Sequence, residues 1–231
     1  ADPNVFAFHP QDTFRISKKK ILEKIYKLQD TEYIGFRHAF NDYELFLSDF
    51  KVRDAYKVFV DTVTHQNAQA KRTIKSLLSK HSSVGAFQTR NIPHAGHEKI
   101  MVRMLESCEH LVINPVIGPK KTGDVTLEAL SLAYKYLGTH KYKGRISFIP
   151  ISANMYYAGP NEAIHHTILR ERLGFSLFSV GRDHAGAEGV YSSHAAPNLI
   201  KRNRERFKIQ IMTHSGAVYC QNCDKVLLIN E

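Results

Sequence analysis

The chain has 231 residues, of which 43% are hydrophobic and 23% are charged, a balance typical of a globular protein with a buried core. This length suits one large domain, or one compact domain with a smaller appendage. No apolar run of about 18 residues occurs, so no membrane-spanning helix is predicted. The formal net charge of +10 favours an anionic partner, such as nucleic acid, an acidic membrane surface or a small phosphorylated ligand.

The N-terminus and the cysteine content indicate a cellular compartment. Residues 1–4 carry no basic stretch leading into an apolar one, so no signal peptide is predicted. The cysteines at 108, 220 and 223 are too few and too scattered for a disulfide framework. We therefore expect a cytoplasmic protein. The densest basic run, residues 201–208, holds few aromatic residues, so we interpret it as a solvated helix face and do not expect nucleic acid as the partner.

Residues 1–80 are predicted to form a mainly helical N-terminal segment. Apolar residues recur at helical spacing in Lys18 to Leu28, Asp54 to Val63 and Ala68 to Leu78. Ser17 is suited to cap the first of these helices. No site motif occurs in this stretch. We therefore expect a structural role, as a lid, an oligomer contact or packing against the second part of the chain.

From residue 81 to residue 231, short apolar runs alternate with helical patterns. Strands are predicted at residues 84–87, 111–117, 146–151, 177–180 and 209–211. Helices are predicted at residues 98–107, 126–137, 161–173 and 196–206. This alternation predicts an α/β domain of the Rossmann-like, doubly wound type, with a parallel sheet and helices on both faces. Ligands bind such sheets at the carboxyl ends of the strands, near the switch in strand order.

The strongest candidate site joins the first strand of this sheet to its first helix. It reads Gln88-Thr89-Arg90-Asn91-Ile92-Pro93-His94-Ala95-Gly96-His97. A helix N-terminus offers unpaired N–H groups to phosphate, and His94 and His97 face one side of its first turn. A histidine pair alone would fit a surface pair or a metal fragment equally well. Arg90 adds a planar fork for a second oxyanion, and the Gln, Thr and Asn side chains add neutral hydrogen-bonding groups, which favours a phosphate site.

A second candidate, Gly181-Arg182-Asp183-His184-Ala185-Gly186, follows the strand predicted at residues 177–180. Glycines allow the backbone to approach a ligand closely. Arg182 can reach an anion, and Asp183 can orient a ribose or a neighbouring group. Taken alone, the segment would fit a simple turn equally well.

Together the two segments resemble the ATP sulfurylase (sulfate adenylyltransferase) family. The hallmarks of that family are Gln-x-Arg-Asn-Pro-x-His-x-x-His and Gly-Arg-Asp-His-Ala-Gly. Residues 116–124 resemble its Val-Gly-x-x-Lys-x-Gly-Asp loop, and residues 158–163 its Ala-Gly-Pro-Arg-Glu-Ala helix start. The four segments occur in the family's order, and the resemblance covers about residues 84–223. It makes residues 81–231 an ATP sulfurylase-like nucleotidyltransferase domain.

This resemblance implies that the adenylyl group of ATP, accompanied by Mg²⁺, passes to sulfate by direct in-line displacement, giving adenylyl sulfate and pyrophosphate. The implied catalytic residues are Thr89, Arg90, Asn91, His94 and His97. The implied nucleotide contacts are Gln88, Thr89, Arg90, Asn91, Gly181, Arg182, Asp183, His184 and, through its backbone, Ala217. The implied sulfate contacts are Gln88, Arg90, Arg182 and the backbone of Ala185. A homo-oligomer and a downstream adenylyl sulfate (APS) kinase or reductase are also implied.

Several positions depart from the family pattern. Tyr156 and Asn161 stand where the family commonly has arginine, and Glu188 adds a carboxylate where none is usual. These departures favour one alternative, a nucleotidyltransferase of the same fold acting on another oxyanion, a phosphonate or a phosphorylated acceptor. A non-catalytic nucleotide or nucleic-acid binding module is a second alternative, which the two intact motif segments disfavour.

Cys220 and Cys223 resemble half of the zinc knuckle found in bacterial relatives. They are the candidate ligands for Zn²⁺. A structural zinc site takes four ligands, so two thiolates do not suffice by themselves. His214 and Cys108 are the other candidate ligands, and otherwise the pair is the remnant of a lost site.

Overall fold

The computed structural model describes residues 18–28, 32–37, 67–118 and 122–229. Its centre is a five-stranded sheet formed by β1 (Val84–Phe87), β2 (His110–Ile113), β3 (Ile146–Phe148), β4 (Leu177–Val180) and β5 (Gln210–Thr213). The strand order is β3-β2-β1-β4-β5, and every neighbouring pair is parallel. The chain therefore winds outward from β1 in one direction and then in the other. The order reverses between β1 and β4, the position at which such sheets bind ligands.

Helices join the strands and precede the sheet. They are α1 (Lys18–Tyr26), α2 (Ala68–Leu78), α3 (Ala95–Leu105), α4 (Leu127–His140), α5 (Gly159–Leu173) and α6 (Ala195–Arg202), followed by a 3-10 turn, Arg204–Arg206. Helix α5 ends at a glycine that caps it. Gly174 adopts a left-handed φ of 95°, and its N–H closes the last turn onto Glu171.

Apolar side chains cover both faces of the sheet. On one face, Val84, Val112 and Phe178 belong to a core with residues of α1, α2, α5 and α6. On the other face, Leu111 and Leu177 belong to a core with residues of α3 and α4. Burial on both sides explains why the strands read as continuous apolar runs and not as alternating ones. The predicted doubly wound parallel sheet with helices on both faces is confirmed.

Some element boundaries differ from the sequence prediction. The second strand ends at Ile113 and the third at Phe148, because Pro115 and Pro150 have no N–H to donate to a sheet ladder. Beyond these prolines, a single parallel bridge joins Val116 to Ile151. The last predicted helix ends at Arg202. The helix predicted at residues 54–63 lies outside the described residues.

A two-stranded antiparallel hairpin follows the sheet and was not predicted. It consists of β6 (Ala217–Cys220) and β7 (Lys225–Leu228). Two short apolar runs separated by Gln221-Asn222-Cys223-Asp224 are a hairpin signal.

The described part of the N-terminal segment packs on the loop that precedes α5. Tyr26 donates its hydroxyl to the carbonyl of Tyr156 at 2.8 Å, and Tyr33 donates to the carbonyl of Tyr157. Further along the chain, the amide side chain of Asn67 forms two hydrogen bonds with the backbone of Ser152, at 2.8 and 2.6 Å. Of the predicted roles, packing against the second part is the one seen in these residues. The domain boundary at residue 80 stays a prediction.

Among the described residues, no helix combines the length and the apolar character needed to cross a lipid bilayer.

Candidate functional site

A cleft of about 690 Å³ opens at the carboxyl ends of β1 and β4, where the strand order reverses. Three parts of the chain form its walls: the turn from β1 into α3, the loop after β4, and the β6–β7 hairpin. The structure brings all the candidate nucleotide and sulfate residues to this one cleft. They are Gln88, Thr89, Arg90, Asn91, His94, His97, Gly181, Arg182, Asp183, His184, Ala185 and Ala217.

Thr89 fixes the turn that follows β1. Its hydroxyl accepts a hydrogen bond from the Asn91 N–H and donates one to the Asn91 carbonyl, both at 3.1 Å. The Thr89 side chain is buried, so the two bonds are shielded from competing water. The turn therefore presents its polar side chains on a backbone that is already ordered.

Arg90 has donors left over for a ligand. One terminal nitrogen donates to the carbonyl of Gly186 at 3.0 Å, and the guanidinium carbon lies 5.9 Å from the centre of the Tyr157 ring. The other terminal nitrogen of Arg90 and Oε1 of Gln88 are buried without a hydrogen-bond partner in the described part of the chain. Rotating the Gln88 amide by half a turn would place its NH₂ donor there instead. Leaving buried polar groups unpaired costs about 1–3 kcal/mol each, so this corner of the cleft suits an oxyanion.

His94 and His97 lie at the N-terminus of α3 as their spacing predicts. His94 is the capping residue, and its Nδ1 accepts from the His97 N–H at 3.4 Å. The two rings are stacked with centroids 3.9 Å apart. Burial, together with the neighbouring His94, lowers the pKa of His97 to about 4. His97 is therefore neutral at pH 7 when the cleft holds no ligand.

Tyr134, on α4, was not among the candidate residues. Its hydroxyl donates to the carbonyl of Asn91 at 3.3 Å and lies 3.4 Å from Nδ1 of His97. Burial raises the pKa of this hydroxyl above its ordinary range. An isolated tyrosine in an amphipathic helix carries no local signal of such a role, because the contact depends on how α4 packs against the turn after β1.

The conformation of the loop after β4 depends on two left-handed residues, a backbone hydrogen bond and the close contact of Gly186 with Asp183. Asp183 and Ala185 adopt left-handed φ values of 52° and 55°. The Asp183 N–H donates to the carbonyl of Ser193 at 2.7 Å. A Cβ on Gly186 would lie 2.0 Å from Oδ1 of Asp183, so only glycine fits this position without moving the carboxylate. These contacts hold residues 181–186 in one conformation at the edge of the cleft.

The hairpin and the residue before it form another wall of the cleft. Gly216, Ala217, Val218, Tyr219 and Val226 line the cleft on this side. A Cβ on Gly96 would lie 3.2 Å from Cβ of Ala217, which shows how closely the first turn of α3 approaches β6. A flat apolar group such as a nucleobase suits a wall of this composition.

The model of the ATP sulfurylase family matches residues 61–229, about three quarters of the chain. The chain belongs to the ATP sulfurylase family. Its relatives include the sulfate adenylyltransferases of Thermococcus onnurineus, 31% identical over 230 residues, and Ignicoccus hospitalis, 36% identical over 212 residues. The matches cover 96% and 90% of this chain but only 58% and 54% of those relatives. The chain thus spans little more than half of their length.

A solved structure with a similar fold is the hexameric APS kinase from Thiobacillus denitrificans. Its TM-score is 0.50 at 14% identity, and the match covers 68% of this chain and 30% of that one. At this identity, the likeness concerns the fold alone.

The departures from the ATP sulfurylase pattern contact the N-terminal segment. Asn161 donates to the carbonyl of Ile25, the backbone carbonyl of Tyr156 accepts from Tyr26, and Oε2 of Glu188 accepts from the N–H of Ile34 at 3.3 Å. Among the described residues, those that line the cleft do not include the three departure positions. The side chains of Asn161 and Glu188 thus have partners in the N-terminal segment, whereas the contact at Tyr156 is independent of its side chain.

Cys220 ends β6, and Cys223 lies in the turn that follows it. Hydrogen bonds from Cys223 and Asn222 lower the pKa of the Cys220 thiol. In residues 18–28, 32–37, 67–118 and 122–229, no group of three or more potential ligands that could hold a metal ion is present. These residues do not by themselves fit a structural Zn²⁺ site, in which four ligands surround the metal. The zinc assignment stays a prediction.

Proposed function

We propose that this chain carries the catalytic domain of an ATP sulfurylase. It transfers the adenylyl group of ATP to sulfate and releases pyrophosphate. The observation that supports this proposal most strongly is the convergence of the two motif segments in one cleft at the reversal of strand order. Relatives named sulfate adenylyltransferase share 31–36% of their residues over most of the chain, which supports the same reaction.

The proposed arrangement places the triphosphate at the start of α3. The backbone N–H groups of the first turn of α3 face the phosphates, as do His94 and His97. The N-terminus of a helix favours negative charge. Sulfate takes the corner of Gln88 and Arg90, where buried polar atoms are unpaired, together with Arg182 and the backbone of Ala185. The residues that contact the nucleoside are Gly181, Asp183, His184 and Ala217.

The proposed chemistry is in-line displacement at the α-phosphorus. A sulfate oxygen forms a bond to the α-phosphorus while the bond to the bridging oxygen of pyrophosphate breaks. Sulfate carries no proton at neutral pH, so no general base is needed. The protein contributes by holding two mutually repelling anions in line and by stabilising the charge that develops on pyrophosphate.

Mg²⁺ enters this proposal as part of the substrate, MgATP. Asp183 is the one carboxylate among the residues that line the cleft in the described part of the chain. The protein therefore offers few oxygen ligands, and the phosphates are expected to supply most of them, as is usual for Mg²⁺ with nucleotides. When bound, the ion neutralises charge on the β- and γ-phosphates.

The wider setting is also part of the proposal. A homo-oligomer, a cytoplasmic location and a downstream APS kinase or reductase accord with the family resemblance. Adenylyl sulfate formation is uphill, so net synthesis requires that adenylyl sulfate or pyrophosphate be consumed. The three positions that suggested a different acceptor are not among the described residues that line the cleft, which disfavours that alternative.

Pyrophosphate release from MgATP tests the proposal, with sulfate, molybdate or no oxyanion added. Release that depends on sulfate or molybdate is expected. Molybdate is informative because its adenylyl adduct hydrolyses and pulls the uphill reaction forward. An oxyanion-independent rate, or no release by protein that binds ATP, would overturn the assignment to sulfate.

A further inference from the structure

The buried face of α5 carries an unusual row of polar side chains. Glu162, His166 and Arg170 recur every four residues, which places them on one side of the helix. Their exposed fractions are 2%, 0% and 0%. Burying ionisable groups costs several kcal/mol unless each is paired, so a helix that only packed against the sheet would use apolar residues here.

These side chains connect the interior of the protein to the cleft. Nδ1 of His166 lies 3.0 Å from Nε2 of His184, in the loop after β4. Nε2 of His166 lies 3.4 Å from Oε1 of Glu162, close enough for an electrostatic contact, although the two atoms make no hydrogen bond. Glu162, His166 and His184 thus form a chain with one end at the cleft, referred to below as the Glu162–His166–His184 chain. Arg170, the last residue of the row, donates hydrogen bonds to the side-chain and backbone oxygens of Asn114, which follows β2.

The hydrogen bonds of Glu162 and its charge indicate where the protons lie when the cleft is empty. The two carboxylate oxygens of Glu162 accept from the N–H groups of Tyr156 and Ala158, each at 2.9 Å, as an ionised carboxylate does. A carboxylate favours a proton on the facing Nε2 of His166. Nδ1 of His166 is then an acceptor, so His184 donates from its Nε2. Nδ1 of a neutral His184 is left with a lone pair.

That lone pair is unsuited to an anionic ligand. Within the described part of the chain, no protein atom hydrogen bonds to Nδ1 of His184, which lines the cleft. A phosphate or sulfate oxygen has only lone pairs to offer, so it requires a donor at this nitrogen.

We propose that the Glu162–His166–His184 chain takes up one proton when an anionic oxygen of the nucleotide binds in the cleft. The proton arrives at Nδ1 of His184, which becomes a donor to the anion. The balancing negative charge is that of Glu162, and His166 connects the two ends. The proton stays on the His184 ring, because Nε2 of His166 makes no hydrogen bond to Glu162 through which a proton could move further.

The electrostatic surroundings support this direction of change. Burial, His166 and the cations Arg170 and Arg90 lower the pKa of His184 well below its ordinary value, so it is neutral in the empty cleft. Burial raises the pKa of Glu162, whereas its backbone hydrogen bonds and the neighbouring His165 and His184 lower it. Glu162 in turn raises the pKa of His184. A bound polyanion opposes the two arginines and raises the proton affinity of the whole chain.

The inference rests on the proposed function only in that it requires nucleotide binding. The ligand in the test is the α,β-methylene analogue of ATP with Mg²⁺ and no sulfate, because this analogue cannot release pyrophosphate. Calorimetric titration in buffers of different ionisation enthalpy gives the number of protons taken up. Wild-type protein is expected to take up about one proton more than the Glu162→Gln variant, because a neutral glutamine cannot balance the charge of a protonated His184. The pH dependence of Kd between pH 6 and 8 should also be steeper in wild type, by about tenfold per pH unit.

A matched control comes from the same helix. Glu171 also accepts two backbone hydrogen bonds, from Lys208 at 2.6 Å and Ile209 at 3.1 Å, but faces no histidine. Glu171→Gln should weaken the fold much as Glu162→Gln does, while proton uptake stays at the wild-type value. His166→Gln, which interrupts the chain and keeps both ends, should lower uptake as Glu162→Gln does.

The outcomes separate the inference from the proposed function. Equal proton uptake in wild type, Glu162→Gln and His166→Gln would overturn the inference and leave the nucleotide site standing. No binding of the analogue by folded wild-type protein would overturn both. Should neither variant fold, ¹⁵N spectra of the wild-type His184 ring give the result. Nδ1 is expected to gain a proton when the analogue is added, and an unchanged lone pair at Nδ1 would contradict the inference.

Discussion

The hydroxyl of Tyr134 contacts two residues of the first motif, the carbonyl of Asn91 and Nδ1 of His97. Asn91 lies before the N-terminus of α3 and His97 lies in its first turn. One side chain from a different helix therefore sets the orientation of the turn and of a histidine in the proposed phosphate site.

Tyr134→Phe removes this hydroxyl and keeps the ring. We expect kcat for sulfate-dependent pyrophosphate release to fall about tenfold, which corresponds to about 1.4 kcal/mol of transition-state stabilisation, with a smaller change in KM. Thermal unfolding should show a loss of about 1 kcal/mol for one hydrogen bond. Tyr136→Phe is the matched control, because Tyr136 is on the same helix and 61% exposed. Equal kinetics for the two variants would contradict the role of Tyr134.

Arg90 is predicted to bind sulfate through its planar fork and not through charge alone. Arg90→Lys keeps the charge but loses the planar fork that presents two parallel donors, so we expect KM for sulfate to rise by about tenfold or more. Arg90→Ala should abolish turnover and leave ATP binding only modestly weaker. Steady-state kinetics with sulfate varied, together with titration of ATP, measure both. Arg202→Ala, at an exposed position at the end of α6, should behave as wild type.

Gly186→Ala tests the close approach between Gly186 and Asp183. The added Cβ would lie 2.0 Å from Oδ1 of Asp183, so the carboxylate or the loop must shift. Affinity for ATP should fall by about tenfold, the result of losing roughly 1.4 kcal/mol of contacts. Gly144→Ala is the control, since Gly144 has a left-handed φ of 80° but open space around it. It should lower stability without changing ATP affinity.

Acid is predicted to destabilise the fold through its buried histidines. Burial, together with His81 and Arg145, lowers the pKa of His110 to about 4, and the pKa of His97 is lowered to about 4 as described above. Their unfolded values are near 6.5, so the unfolded chain binds more protons between pH 6.5 and pH 4. The stabilisation is complete above pH 6.5 and is lost as the pH falls toward 4. Urea unfolding at pH 7.5 and pH 5 should show this loss.

Replacing His110 alone measures how much this histidine contributes to the loss of stability in acid. His110 is buried at the start of β2 and contacts the hydroxyl of Ser147 at 2.8 Å. His110→Gln cannot take up a proton, so it should lose less stability than wild type between pH 7.5 and pH 5. The same loss in both proteins would show that His110 does not contribute.

The fold and the cleft residues follow from local patterns, whereas the supporting residues do not. Strands buried on both faces read as apolar runs, and the two motifs follow β1 and β4 directly, so their convergence at the sheet edge could be predicted. Tyr134, Glu162 and His166 act through contacts between helices and loops that are distant in sequence. A polar residue in an amphipathic helix gives no indication of which neighbour it will meet. The zinc hypothesis rested on a local pattern whose remaining ligands the described residues do not supply.

The contacts of Tyr156, Asn161 and Glu188 with the N-terminal segment have an evolutionary consequence. Tyr156, Ile25 and Ile34 take part through backbone atoms, whereas Asn161 and Glu188 take part through their side chains. Among homologues that share this segment, positions 25, 34 and 156 can therefore vary without loss of these hydrogen bonds. Positions 161 and 188 should be restricted to side chains that can donate and accept, respectively.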